Sequence, residues 1–255
     1  MKTARQKIAV DIGNTRCKIG VGDEITPVEY TEDWLEKMPW AENSCQWWVG
    51  SVNRPRFHQW RQWVLQNRPD DTFQVLDAWN IPLEMAVDFP EKVGADRLLA
   101  AVAVNRLRQP GKAALIVDLG TALKVDWLDE KGVFHGGSIA PGLRMSALAL
   151  HVQTDALPEM DVRPILDGMR GHEISPVGKN TLAAMQSGLF WGMIGTIREL
   201  VHQMERLYQT TPQRFLTGGG AESVLSVLGE EFLYVEELVM KGIRVVMERE
   251  MSQKK

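Results

Sequence analysis

Cysteine is scarce in this chain: its 255 residues include only Cys17 and Cys45. Two cysteines build no disulfide framework, which excludes a small stapled secreted scaffold and fits a reducing cytoplasm. A basic surplus is missing as well. The net charge is −4, with both signs interspersed, so nothing points to nucleic acid or to an anionic membrane as partner. No apolar run approaches the ~20 residues of a membrane span. The run inside "MKTARQKIAV" breaks at Asp11, too early for a signal peptide. Low-complexity segments and long linkers are also absent. The expectation is a cytoplasmic protein with no nucleic-acid or membrane partner.

What is present is apolar content: 44% of the residues are hydrophobic, enough for one large domain or two of about 100–150 residues each. Nine tryptophans occur, seven of them from Trp34 to Trp79. Without a basic stripe beside them they read as core and interface packing.

The chain divides near "RQPGK", where Pro110 and Gly111 punctuate, giving halves 1–110 and 111–255. Their openings match. "VDIGNTRCKIGV" and "VDLGTALKVDW" align with one deletion, which sets Asp11 against Asp118, Gly13 against Gly120, Thr15 against Thr121 and Lys18 against Lys124. Each copy follows a β-type run and precedes another, so each reads as strand, tight turn, strand. A repeat of this kind predicts two related domains starting with the same hairpin; a chance match in a common apolar-Asp-x-Gly string is the alternative.

The spacing further predicts a strand over "CQWWVGSV" and helices over "RFHQWRQWVLQN" and "VGADRLLAAVAVNRLR". A long helical stretch, "GKNTLAAMQSGLFWGMIGTIRELVHQMERLY", is loosened by Gly188, Gly192 and Gly195. "RFLTGGGAESVLSVL" reads as strand, glycine turn and helix, and "HGGSIAPGL" as a glycine-rich turn before a helix. His135 has no legible partner and reads as structural. Strands alternating with helices argue an α/β fold.

The Asp11 loop has a chemical logic. Backbone N–H groups and small residues in Gly13-Asn14-Thr15 suit a phosphate. A carboxylate beside phosphate makes sense when a divalent cation lies between them, since Mg²⁺ takes carboxylate, water and phosphate oxygens. Lys18 adds positive charge. The Walker pattern is absent, so the loop is either a different Mg·nucleotide site or an ordinary polar hairpin turn. A second such loop and the Gly218–Gly220 turn before a helix favour the first: two loops of related domains can hold a nucleotide between them. "GADR", Gly94 to Arg97, sets a carboxylate beside a guanidinium at a helix start. Phosphoryl transfer needs positioning, charge stabilisation and a proton acceptor. Asp96 suits the last role, and Arg97 offers a fork for a carboxylate or phosphate. A helix-start Asp paired locally with Arg is the alternative.

Asp-x-Gly-Asn-Thr near the N-terminus, Gly-Ala-Asp-Arg near 95, Asp-x-Gly-Thr-Ala near 120, Gly-Gly-x-Ile-x-Pro-Gly near 140 and Asn-Thr-x-x-Ala-x-x-x-Gly near 185 occur in this order. The ordered set, with the closing "LVMKGIRVV", resembles type III pantothenate kinase over nearly the whole chain. The resemblance implies two ribonuclease-H-like domains of the actin and sugar-kinase superfamily with a nucleotide cleft between them. It implies transfer of the γ-phosphoryl of ATP to the primary hydroxyl of pantothenate, opening coenzyme A synthesis. It implies a homodimer with the pantothenate site near the subunit contact, a divalent metal, and a monovalent cation, K⁺ or NH₄⁺. Carried onto this chain, Asp11, Gly13, Asn14, Thr15 and Lys18 belong to the first ATP loop. Gly94, Ala95, Asp96 and Arg97 line the pantothenate site, with Asp96 as proton acceptor. Asp118 holds the monovalent cation, Thr121 contacts ATP, and Thr181 contacts pantothenate.

Two positions depart from the pattern. Val87 stands where a Tyr is usual, and Lys124 where Thr is usual; Lys124 can reach phosphate or the cation's place, or point to solvent. Two further readings compete: a kinase of the superfamily with another small acceptor, and a non-enzymatic nucleotide-binding regulator.

Overall fold

The computed structural model describes residues 5–38, 44–167 and 174–253. It resolves into two compact units. The first holds residues 1–83, 88–107 and 238–255; the second holds 84–87 and 108–237.

The first unit begins with an antiparallel meander, β1 (Gln6–Ile12), β2 (Arg16–Val21) and β3 (Glu24–Glu29). Two strands parallel to β1 follow, β4 (Cys45–Ser51) and β5 (Thr72–Leu76), completing a sheet of order β3-β2-β1-β4-β5. Alternation decides its two faces. Ile8, Val10, Ile12, Cys17, Ile19, Trp47 and Val49 form a core under helix α1 (Arg54–Asn67), which contributes Trp60 and Val64. Trp60 meets Trp47 and Phe73 edge to face, at 5.8 and 5.6 Å. Asn53 starts α1 as an N-cap, its side chain accepting from the Arg56 N–H at 3.1 Å, and Pro55 follows in the first turn where no N–H is missed.

The opposite face carries α2 (Ala95–Leu107) and α7 (Leu238–Gln253). Beside Trp48 it is lined by the small residues Ala9, Gly20 and Gly50. A Cβ on Gly20 would lie 2.8 Å from Met240, one on Gly50 would lie 2.7 Å from Leu99, and one on Gly242 of α7 would lie 2.0 Å from the Leu99 carbonyl. At Gly242 the close atoms are backbone, so there α7 and α2 approach more closely than any side chain permits. This corrects the simple cut at residue 110. The unit boundary falls between Leu107 and Arg108, but the final helix packs in the first unit, because its Met240 and Ile243 meet Gly20 and Gly50 of that sheet and its Gly242 meets Leu99 of α2.

The second unit repeats the plan. Its meander is β6 (Ala114–Leu119), β7 (Ala122–Leu128) and β8 (Phe134–Pro141), joined by the parallel strands β9 (Gln213–Thr217) and β10 (Phe232–Tyr234) in the order β10-β9-β6-β7-β8. Counted from the meander edge, the two sheets have the same order and directions. The core joins Leu115, Val117, Leu119, Leu123, Val125 and Trp127 to α3 (Leu143–Val152), α4 (Arg163–Asp167), α5 (Thr181–Tyr208) and α6 (Ala221–Leu228).

Two expectations change here. "HGGSIAPGL" is mostly strand: its first seven residues lie in β8, and α3 starts at Leu143. A Cβ on Gly137 would fall 1.9 Å from the Val125 carbonyl, so glycine here lets β8 close on β7 at a bulge. The helix α5 runs unbroken for 28 residues; Gly188, Gly192 and Gly195 have open space around them. The tryptophans are core in the main, with Trp34, Trp47, Trp48 and Trp60 at most 2% exposed, whereas Trp79 is 77% exposed. Trp40 lies outside the described residues.

Candidate active site

In the first unit the candidate residues gather at the carboxyl end of β1 and β4, where open α/β sheets place ligands. Asp11 is the penultimate residue of β1. It is in register with Lys18 across the hairpin and with Gly50 on β4, so Asp11 and Lys18 share the face that α2 covers. The turn between them closes with the Gly13 N–H donating to the Arg16 carbonyl at 3.2 Å, and Asn14 and Thr15 are exposed at its tip. The Tyr30 hydroxyl donates to the Gly13 carbonyl at 2.8 Å.

The Gly94–Arg97 segment reaches the same end. The Val52 N–H donates to the Ile12 carbonyl at 3.2 Å, and a Cβ on Gly94 would lie 3.5 Å from Val52 Cγ1 and 2.6 Å from Asp96 Oδ1. Gly94 thus leaves room for the Asp96 carboxylate, whose Oδ1 accepts from the Arg97 N–H at 2.8 Å. One residue, Val52, touches both the strand that carries Asp11 and the turn that carries Asp96. The Ser51-Val52-Asn53 link was not singled out in the sequence, although an Asn N-cap followed by Arg and Pro after a strand marks such a strand-to-helix junction. Tyr30 gave no sequence signal at all.

In the second unit the equivalent hairpin is one residue shorter. The Gly120 N–H donates to the Ala122 carbonyl at 3.2 Å, matching the bond in the first turn. Asp118 is in register with Lys124, on the face away from the helical core, and Lys124 Nζ lies 2.6 Å from Asp118 Oδ2. Both side chains are largely buried, 16% exposed for Asp118 and 14% for Lys124. Two glycine segments close on this turn. A Cβ on Gly218 (φ +100°) would lie 2.5 Å from the Leu119 carbonyl and 2.7 Å from Asp118 Oδ1; one on Gly142 would lie 2.4 Å from the Thr121 carbonyl. Thr121 itself is exposed, as is Thr181, the first residue of α5 behind its N-cap Asn180.

Two residues find structural roles. Val87 lies against Gly136 of β8, inside the second unit. His135 pairs with Asp129 at 3.1 Å and meets the Tyr208 ring edge to face. Burial works to raise the Asp129 pKa, but His135 and the Val133 N–H outweigh it and hold the carboxyl below its ordinary value.

The sequence model of the type III pantothenate kinase family matches residues 7–203, more than half of the chain. The chain belongs to that family. It is 33% identical over 170 residues to a type III pantothenate kinase of Brevibacillus brevis, covering 67% of this chain and 63% of that protein. It is 37% identical over 164 residues to one of Dinoroseobacter shibae, covering 64% and 60%. The matched stretches thus span about three fifths of these relatives' own length. Among solved structures, a Campylobacter jejuni protein described as a conserved Baf family transcriptional activator superposes with a TM-score of 0.64 at 18% identity, over 96% of this chain and 99% of that one. MreB5 of Spiroplasma citri, bound to ADP, superposes with a TM-score of 0.54 at 10% identity, over 98% of each chain. The chain shares its fold with these structures, two units of mixed sheet and helices.

Proposed function

We propose that this chain phosphorylates pantothenate, moving the γ-phosphoryl of ATP to its primary hydroxyl and so opening coenzyme A synthesis. Family membership supports the reaction. The observation that supports the site is the contact of Gly94 and of the Asp11 strand with the single residue Val52, at one end of the sheet.

The assignments follow from the chemistry of each group. Asn14 and Thr15 offer the turn's exposed amides to phosphate oxygens, and Lys18 adds a positive charge. Asp11, at the root of the turn, is suited to hold Mg²⁺ through carboxylate and water; the ion neutralises charge on the transferring group. Asp96 accepts the proton of the acceptor hydroxyl, oriented by its bond to the Arg97 N–H. Arg97 takes the pantothenate carboxylate. In the second unit, Thr121 contacts the nucleotide and Thr181 the acceptor.

The protein works as a cytoplasmic homodimer in this reading. Met145, Leu148 and Val152 on α3 are 47–63% exposed and fall on one side of the helix at i, i+3 and i+7. This stripe suits a two-fold contact, where one patch meets its own copy.

The test is ADP release from Mg·ATP with and without pantothenate. Pantothenate-dependent ADP is expected. Release that ignores pantothenate but follows another small alcohol would reassign the acceptor; no release with any acceptor would leave the regulator reading.

A further inference from the structure

The family resemblance implies a monovalent cation at Asp118, and the residues present do not fit one. The Asp118 carboxylate already has a positive partner, Lys124 Nζ at 2.6 Å from Oδ2. Its other oxygen, Oδ1, faces the Gly218 backbone, so close that a Cβ there would stand 2.7 Å away. The pair is largely buried, so solvent screens it little. A second cation at this carboxylate would meet the ammonium at ion-pair range, two like charges on one counter-ion.

The hairpin fixes this arrangement. Lys124 is directly opposite Asp118 in the β6–β7 register, and opposite residues of an antiparallel pair share a face. Asp126 lies two residues along on that face and is buried, and the ion pair with Asp118 at 2.6 Å holds the ammonium. An ε-ammonium is a compact single charge, chemically an NH₄⁺ with one proton replaced by a tether. Because it is part of the chain, its occupancy does not depend on salt.

We propose that Lys124 is a built-in replacement for the monovalent cation, and that nucleotide binding and turnover in this protein are independent of K⁺ and NH₄⁺. Lys124 acts through Asp118 and the turn it supports, as a positioning residue. The proposal rests on the kinase reading, and two measurements keep them apart.

The first is binding of a non-hydrolysable ATP analogue with Mg²⁺, by titration calorimetry, in K⁺ against tetramethylammonium at matched ionic strength. The second is pantothenate-dependent ADP release across the same salts. For the wild type both are expected to agree within about twofold between salts, the scale left to general screening. For Lys124→Thr both are expected to fall by roughly 10²-fold in tetramethylammonium, the usual size for one lost electrostatic group in a closed site, and to recover in K⁺. A wild type that needs K⁺ overturns the proposal, whatever the variant does. So does a Lys124→Thr protein equally weak in both salts, which would place the ammonium on the phosphates, or one unaffected in either. Cation-independent binding without turnover supports the proposal and removes the kinase reading; absence of binding removes both. A variant that fails to fold leaves the wild-type salt profile to decide.

Discussion

Tyr30 donates its hydroxyl to the Gly13 carbonyl at 2.8 Å, tying the end of β3 to the turn that follows Asp11. The ring is held from two sides, by the Arg56 guanidinium 4.6 Å above its centre and by Trp34 edge-on at 5.1 Å. The Gly13 carbonyl is thereby held by a side-chain donor. Burial, then the nearby Cys17 and Asp11, push the phenol pKa far up against the smaller opposing effect of Arg56. The hydroxyl remains a donor throughout the working range.

Tyr30→Phe keeps the ring and removes only that bond. One hydrogen bond is worth about 1 kcal/mol, so the KM for ATP is expected to rise by about 3–10-fold. The KM for pantothenate should hold still. Initial rates over both substrates check this; equal shifts in the two constants would show that Tyr30 does not act through the ATP turn.

Asp96→Asn keeps shape and removes the proton acceptor. kcat should fall by roughly 10²–10⁴-fold with thermal melting unchanged, since Ala95 and Leu98 continue to anchor the start of α2. A near-normal rate would move the base elsewhere.

Gly218→Ala puts a side chain where none fits. The residue has φ +100° and a Cβ would strike the Leu119 carbonyl. Left-handed strain plus the clash should cost about 1–3 kcal/mol, read by urea unfolding. Because the same Cβ would crowd Asp118, ATP affinity should drop as well. Intact affinity in a destabilised variant would separate the glycine turn from the nucleotide.

Much of this was readable in advance where local chemistry and local structure coincide. The residues shared by the two openings predicted two hairpins, and alignment set Asp11 against Asp118 and Lys18 against Lys124; the strand register then shows Asp11 opposite Lys18 and Asp118 opposite Lys124. The place of Asp96 in the first turn of α2 was readable, because "GADR" opens an Ala- and Leu-rich helical run. Contacts between distant segments were not readable. Val52 joins the segments of Asp11 and Asp96, 85 residues apart in sequence, and nothing in its own neighbourhood says so. Gly242 looks like a helix weakness until Leu99 is found against it. The β8 glycines read as a turn because period-2 packing against β7 is a tertiary fact.

Asp71 is a buried acceptor of a structural kind. Its carboxylate takes the Cys45 N–H at 2.7 Å, the Trp47 Nε1–H at 2.8 Å and the Arg68 guanidinium. Burial acts to raise its pKa, yet Arg68 and the two N–H donors outweigh it and hold the carboxyl below its ordinary value. Its stabilisation is therefore complete above the unfolded carboxylate's pKa of about 3.9 and fades as pH falls below that toward the folded value. Asp71→Asn turns an N–H donor toward donors and should cost about 2–4 kcal/mol at pH 7. Urea unfolding of both proteins at neutral pH and near pH 3 should show the gap narrowing in acid; a constant gap would mean that charge is not what Asp71 contributes.

The return of α7 to the first unit sets an order of events during synthesis. The N-terminal sheet leaves the ribosome first, but the face lined by Ala9, Gly20 and Gly50 receives Met240 and Ile243 only from the last helix. The 130 residues between Leu107 and Leu238 are translated in between, roughly 7–26 seconds at ordinary rates. By the end of that interval the second unit, nearly continuous in sequence, has all its strands, while the first has α2 on that face and still lacks α7. Of the two units, the one whose sheet is made first is the one completed last.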